Sequence, residues 1–226
     1  MEFAKSLIWF LFVGACVVLA YFFLKRYREL KKKQIAQQAL YDEKKEKYSH
    51  ITSEMFDEIP MDELTHAVIF QIMAKEDEYY DQEELVGQFV DNLTHGEKLI
   101  YTVYQVENSL QGGKGSIHSF FITEPYCQCR PYYKEAYETI HCHEISTLLQ
   151  AAEHLAILIE NDQEDQIDED SDYATYNFSD FTNELIAMIR SGGVMEKCNQ
   201  YIKEHKDDFI NLNQEGEEKD EKRISE

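Results

Sequence analysis

Several residue clusters have the types, though not the spacings, that chemistry asks for. Gly112-Gly113-Lys114-Gly115-Ser116 surrounds one lysine with small residues, the ingredients of a phosphate-binding loop. Such a loop needs four residues between its first glycine and a Gly-Lys pair, with Ser or Thr directly after the lysine. Here Gly115 follows Lys114, and the sequence before it reads as helix, so a flexible connection between two helices is the better reading. Cys127-x-Cys129 and His141-x-His143, with Cys142 between the histidines, are ligand types that zinc accepts. Their spacing is too tight for a structural site, and a helix opened by Pro131 would carry the two pairs about 15 Å apart. No metal and no other cofactor is expected. Glu107 lies in an apolar-rich helix and is the one carboxylate expected near the core; no catalytic role is assigned to it. Without a Gly-x-Ser-x-Gly or comparable local signature, the chain is not expected to be an enzyme.

Charge is more informative. Across 226 residues the formal net charge is −22, and it is divided unevenly. Residues 1–48 hold 10 Lys and Arg against 5 Asp and Glu, which leaves 12 against 39 for the rest. Most carboxylates of the body therefore lack a basic partner. Such a body is soluble, repels nucleic acid and anionic lipid, and attracts basic proteins. Direct nucleic-acid binding is excluded on this ground.

Leu7 to Leu24 reads LIWFLFVGACVVLAYFFL without a charge. As a helix these residues span roughly 27 Å, close to the hydrocarbon thickness of a bilayer. Trp9, Tyr21 and Tyr27 suit interfacial positions. Lys25, Arg26, Arg28, Lys31, Lys32 and Lys33 follow, whereas only Lys5 and the amino terminus precede, offset by Glu2. The positive-inside rule then predicts a single-pass protein of the cell membrane with its C-terminal domain in the cytoplasm. Cleavage is the competing reading, because Val13-Gly14-Ala15-Cys16 resembles a lipid-attachment box. Against it, the apolar run continues past Cys16 and the basic flank lies on the wrong side for a signal peptide.

The expected fold is all-α: a transmembrane anchor at 1–24, a basic helical stalk at 25–50, a compact multi-helix acidic domain at 51–212 and a disordered tail at 213–226. The stalk region lacks Gly and Pro and is rich in strong helix formers. In the body, helical stripes fall at Leu64-Ala67-Val68-Ile72, at Leu85-Phe89-Leu93 and at Leu99-Val103-Val106-Leu110, the last preceded by a Thr94–Glu97 capping box. An aromatic segment, Ile117 to Ile122, precedes a helix opened by Pro131. The most regular pattern is Ile145-Leu148-Leu149-Ala152-Leu155-Ala156-Ile159. Two further stripes begin at Phe181 and Val194, for roughly seven body helices. The four cysteines beyond Cys16 are read as reduced thiols rather than a disulfide scaffold.

From Glu97 to Leu155 the chain resembles the bacterial DNA-mimic protein (DMP) family, and the likeness extends over roughly residues 85–210. Members have a helix that ends near an Asn-Gly-Gly-Phe-x-x-Phe-Phe loop, then an amphipathic helix pair joined at an Ile-Gly-Ala turn. EKLIYTVYQVENSL resembles the first helix, and Lys114, Gly115, Ser116, Ile117, Phe120 and Phe121 stand where the loop motif belongs. YYKEAYETIHCHEISTLLQAAEHL resembles the pair, with Ile140-His141-Cys142 at the turn. The chain departs from the pattern at Lys114, Ser116, Ile117 and His141. The resemblance implies an acidic protein-binding module that imitates duplex DNA. Its partner would be a basic DNA-binding protein or nuclease, and a homodimer is a further partner to consider. Expected contacts are Glu76, Asp77, Glu83 and Glu84 on a helix, and Glu164, Asp165, Asp168, Glu169 and Asp170 in the acidic run at 160–172. The competing readings are a scaffold protein of the cell envelope without charge mimicry, and a zinc protein or enzyme.

Overall fold

The computed structural model describes residues 2–82, 87–163 and 172–210, with side chains given for Leu19 and from Tyr21 onward. The chain divides into two units, Met1–Glu46 and Lys47–Glu226. The first is formed by α1 (Glu2–Lys47), one helix that carries the apolar run and the basic segment without a break. That continuity agrees with the helix propensity of residues 25–48. Among the described residues no helix is long and apolar enough to cross a membrane. The expected span, Leu7 to Leu24, falls mostly on residues whose side chains lie outside the described set, and from Lys25 on α1 is charged. The predicted 213–226 tail lies outside the described residues as well.

In the second unit the regular structure among the described residues is all helical: α2 (Ser53–Glu58), α3 (Leu64–Tyr80), α4 (His95–Leu110), α5 (Ile117–Ile122), α6 (Tyr133–Thr139), α7 (His143–Glu160), α8 (Phe178–Ser191) and α9 (Val194–Glu204). Its centre is α4, which packs on α3, α5, α6 and the 3-10 segment at 126–132. The capping box starts α4 as expected: Glu97 N–H donates to Thr94 Oγ1 at 3.2 Å, and Thr94 N–H donates to Glu97 Oε2 at 3.1 Å. Leu99, Val103, Val106 and Leu110 are all buried, as are Leu64, Ala67, Val68 and Ile72 of α3. Each large apolar side chain so placed contributes about 1.5–3 kcal/mol from burial.

Two expectations need correction. The stripe expected as a helix at 85–93 is, where described, a 3-10 turn at Phe89–Asn92. Gly87 takes a left-handed φ of 76°, and the Asp91 carboxylate accepts the Gln88 N–H, so the helix ladder does not form. Phe89, Val90 and Leu93 are buried nevertheless. Pro131 lies inside the 3-10 segment Tyr126–Tyr132, and the α-helix that was to open there begins at Tyr133.

The far end of the chain closes the body. Gln71 of α3 accepts the Ile51 N–H at 2.8 Å and donates to both Glu97 Oε1 (3.2 Å) and the Phe209 carbonyl (3.0 Å). Thr94 Oγ1 donates to the Asp208 carbonyl at 2.7 Å. Asn199 of α9 supplies the N-terminal cap that α3 lacks locally, with Oδ1 accepting from Thr65 N–H and Oγ1 at 2.9 and 2.6 Å.

Candidate protein-interaction surface

A helix end attracts positive charge, because its last carbonyls are the negative pole of the backbone dipole. The last turn of α3 holds the opposite. Glu76, Asp77 and Glu78 lead into the C-cap Asp81, and no basic residue stands in that turn. Asp77, Glu78 and Asp81 are exposed, while Glu76 is half-buried and accepts a hydrogen bond from Tyr101 Oη at 2.9 Å. Tyr101 is buried at the centre of α4, and burial followed by the Glu76 charge holds its pKa far above the usual tyrosine range. Glu76 is thus tied to the core, and its neighbours ride on the same rigid turn.

Four cations of the body have their partners away from the exposed carboxylates of this turn. Lys75 pairs with Glu97 at 2.6 Å, and Lys206 pairs with Asp57 at 2.8 Å. Arg130 pairs with Glu153 at 2.7 Å and Glu160 at 3.2 Å, and Tyr133 Oη adds a bond to Glu153 at 2.6 Å. Lys197 donates to the His141 carbonyl at 2.9 Å. These contacts hold helices and turns together and leave the α3 end acidic.

Of the expected contact residues, Glu76 and Asp77 lie side by side on α3. Glu83, Glu84, Glu164, Asp165, Asp168, Glu169 and Asp170 fall outside the described residues. The loop motif is structural rather than exposed chemistry. Ile117, Phe120 and Phe121 are buried, Ser116 Oγ accepts the His118 N–H at 3.2 Å to start α5, and the Ile117 N–H donates to Thr182 Oγ1 at 3.0 Å. Gly115 N–H donates to the Leu110 carbonyl at 2.9 Å, and a Cβ on Gly115 would drive into the Ser109 backbone. Lys114 follows Gly112 and Gly113, both at positive φ. His141, at the position of the family's turn glycine, takes φ 55°.

Among the described residues no three His, Cys, Asp or Glu side chains are arranged to hold a metal. Cys129 is buried, and desolvation pushes its thiol up to about 12.

The two carboxylates of α4 were unequally visible in sequence. Glu97 was legible as a cap residue, but not as a fully buried charge held by Lys75 and Gln71. Glu107 is half-buried; desolvation raises its pKa, and no described group donates to it. Next to it the Tyr137 hydroxyl of α6 is buried, with no hydrogen-bond partner among the described residues.

Compared with family models, residues 91–205 match the one described as DMP19-like protein, which covers half of the chain. Among curated proteins and among solved structures no match is found.

Proposed function

The chain belongs to the DMP19-like protein family, and from that premise we propose that it is an acidic protein-binding module that docks a basic DNA-binding protein in place of duplex DNA. The observation that carries this reading is the end of α3. Carboxylates at 76, 77, 78 and 81 crowd the wrong pole of a helix, which weakens the helix by about 0.3–1 kcal/mol each. Glu76 is tied to Tyr101, and the exposed Glu78 and Asp81 extend the negative charge of the same turn toward solvent, where a basic partner can meet it. Four carboxylates on six helical residues, at about 1.5 Å of rise each, place one charge per roughly 2–2.5 Å of axis, of the same order as the one per roughly 1.7 Å of duplex DNA. A nuclease would dock by the same rule, and a second copy of the chain would extend the array.

Membrane attachment through residues 7–24 with the body in the cytoplasm completes the proposal. Leu19, Tyr21, Phe22, Phe23 and Leu24 are consecutive or nearly so on α1, and all are exposed large apolar groups that water tolerates poorly. The basic flank after Leu24 sets the orientation. Protease added to intact spheroplasts is expected to leave residues 50–226 uncut; their digestion without lysis would reverse the topology.

The functional test is capture of a partner from solubilised membranes, identified by mass spectrometry. It is expected to be basic, to be released by salt, and to be displaced by duplex DNA. Glu76→Gln, Asp77→Asn, Glu83→Gln and Glu84→Gln together are expected to weaken binding without change in the helical circular dichroism spectrum. An acidic partner, or one that binds equally at low and high salt with DNA present, replaces this reading with an envelope scaffold.

A further inference from the structure

A narrow slot opens between α3, α4 and α9, with a volume of about 140 Å³. Ile69 of α3, Ile100 and Val103 of α4, and Val194 and Cys198 of α9 make its walls. His66, Tyr104 and Glu107 stand where it meets solvent. Apolar walls with one carboxylate describe a chemical preference. The walls take methylene groups, and the carboxylate takes a donor that carries positive charge.

We propose that this slot receives the side chain of a lysine on the basic partner, its four-carbon stem between the walls and its ammonium on Glu107. The inference rests on the partner reading above and adds where that partner is gripped. Three observations support it. Glu107 has no donor among the described residues, although a half-buried carboxylate ordinarily finds one. The Tyr137 hydroxyl, buried and unpartnered, lies within electrostatic reach of Glu107 and Cys198, so unanswered polarity is concentrated on this side of α4. Burial lifts the Glu107 pKa, which marks a site where a bound cation would recover the lost hydration. A guanidinium brings five donors in a fixed fork and would leave several unmet against a single carboxylate; the compact ammonium brings three. The titratable groups that share this side of α4 with Glu107 are Tyr104 on its own helix, His66 on α3, Tyr137 on α6 and Cys198 on α9, and no Lys or Arg of the described residues lines the slot.

The test uses the full-length chain in a neutral detergent, with n-butylammonium as the probe and n-butanol as its uncharged twin. Methyl NMR signals of Ile69, Ile100 and Met195, which also lines the slot, are expected to shift saturably with butylammonium at pH 7. The affinity is expected to fall at least tenfold for n-butanol and for Glu107→Gln, whose circular dichroism should match the parent. Glu107→Gln is also expected to weaken the captured partner about tenfold. The proposal is overturned if butylammonium leaves those methyls unmoved or binds Glu107→Gln equally well. It is overturned in its choice of occupant if the amine binds but the partner's affinity ignores Glu107→Gln. Failure of the mimic reading shows separately, as a partner insensitive to salt, to DNA and to the α3 substitutions.

Discussion

The two ends of α4 treat a carboxylate in opposite ways. At the N-terminal end Glu97 is wholly buried, yet Lys75, Gln71 and the Thr94 N–H all bond to it. At the C-terminal end Glu107 is only half-buried and has no donor among the described residues. Depth of burial does not distinguish structure from function here; satisfaction does. A buried charge with its bonds complete fastens the chain to itself. One left incomplete is held ready for a group the chain does not supply.

Breaking the first end should have the largest effect. Lys75→Met leaves Glu97 buried without its cation and is expected to destabilise the body by about 3 kcal/mol in urea unfolding. A loss under 1 kcal/mol would mean that Gln71 and the Thr94 N–H suffice, and the contrast would weaken. Gly115→Ala attacks the backbone that secures the other end of α4. With Ser109 in the way of the new Cβ, a loss of roughly 2 kcal/mol is expected from the same measurement.

Glu107→Gln should do the reverse and stabilise. Because burial raises the Glu107 pKa above the ordinary carboxylate value of 4.5, the stability the acid form contributes is intact below that pH and is lost as pH rises through the folded pKa. The gain from glutamine is therefore expected at neutral pH, at roughly 1 kcal/mol, and should vanish below about pH 4.5 in parallel thermal melts. A gain of the same size at acid pH would trace it to something other than charge. The smallest effect serves as a control that touches neither carboxylate. His141 occupies a left-handed turn, so His141→Gly is expected to be stabilising by about 0.5 kcal/mol in urea unfolding.

Much of this was legible where the causes are local. The α4 capping box lies within four residues, and the stripes of α3, α4, α7, α8 and α9 repeat at helical spacing, so each could be read from short windows. The stripe at 85–93 misled because period alone cannot register Gly87 at positive φ or Asp91 bonding back to Gln88. The loop motif was legible as sequence likeness, but its role in packing α5 depended on Ser109 and Thr182, distant in the chain. Glu97 was half-read for the same reason: its cap lies three residues away, its cation 22 and its amide 26.

The closure of the body through Gln71 also has a consequence in time. Its amide binds the Phe209 carbonyl across 138 positions, and Thr94 meets the Asp208 carbonyl across 114. During synthesis α3 and α4 emerge long before those carbonyls exist. Until residue 209 arrives, Gln71 lacks one acceptor and the start of α4 is bare on the face that Phe209 will cover. The late closure of so long a loop is entropically expensive and slow. A nascent chain waits in that incomplete state through about half of its translation, and a premature stop just short of Phe209 would leave it there for good.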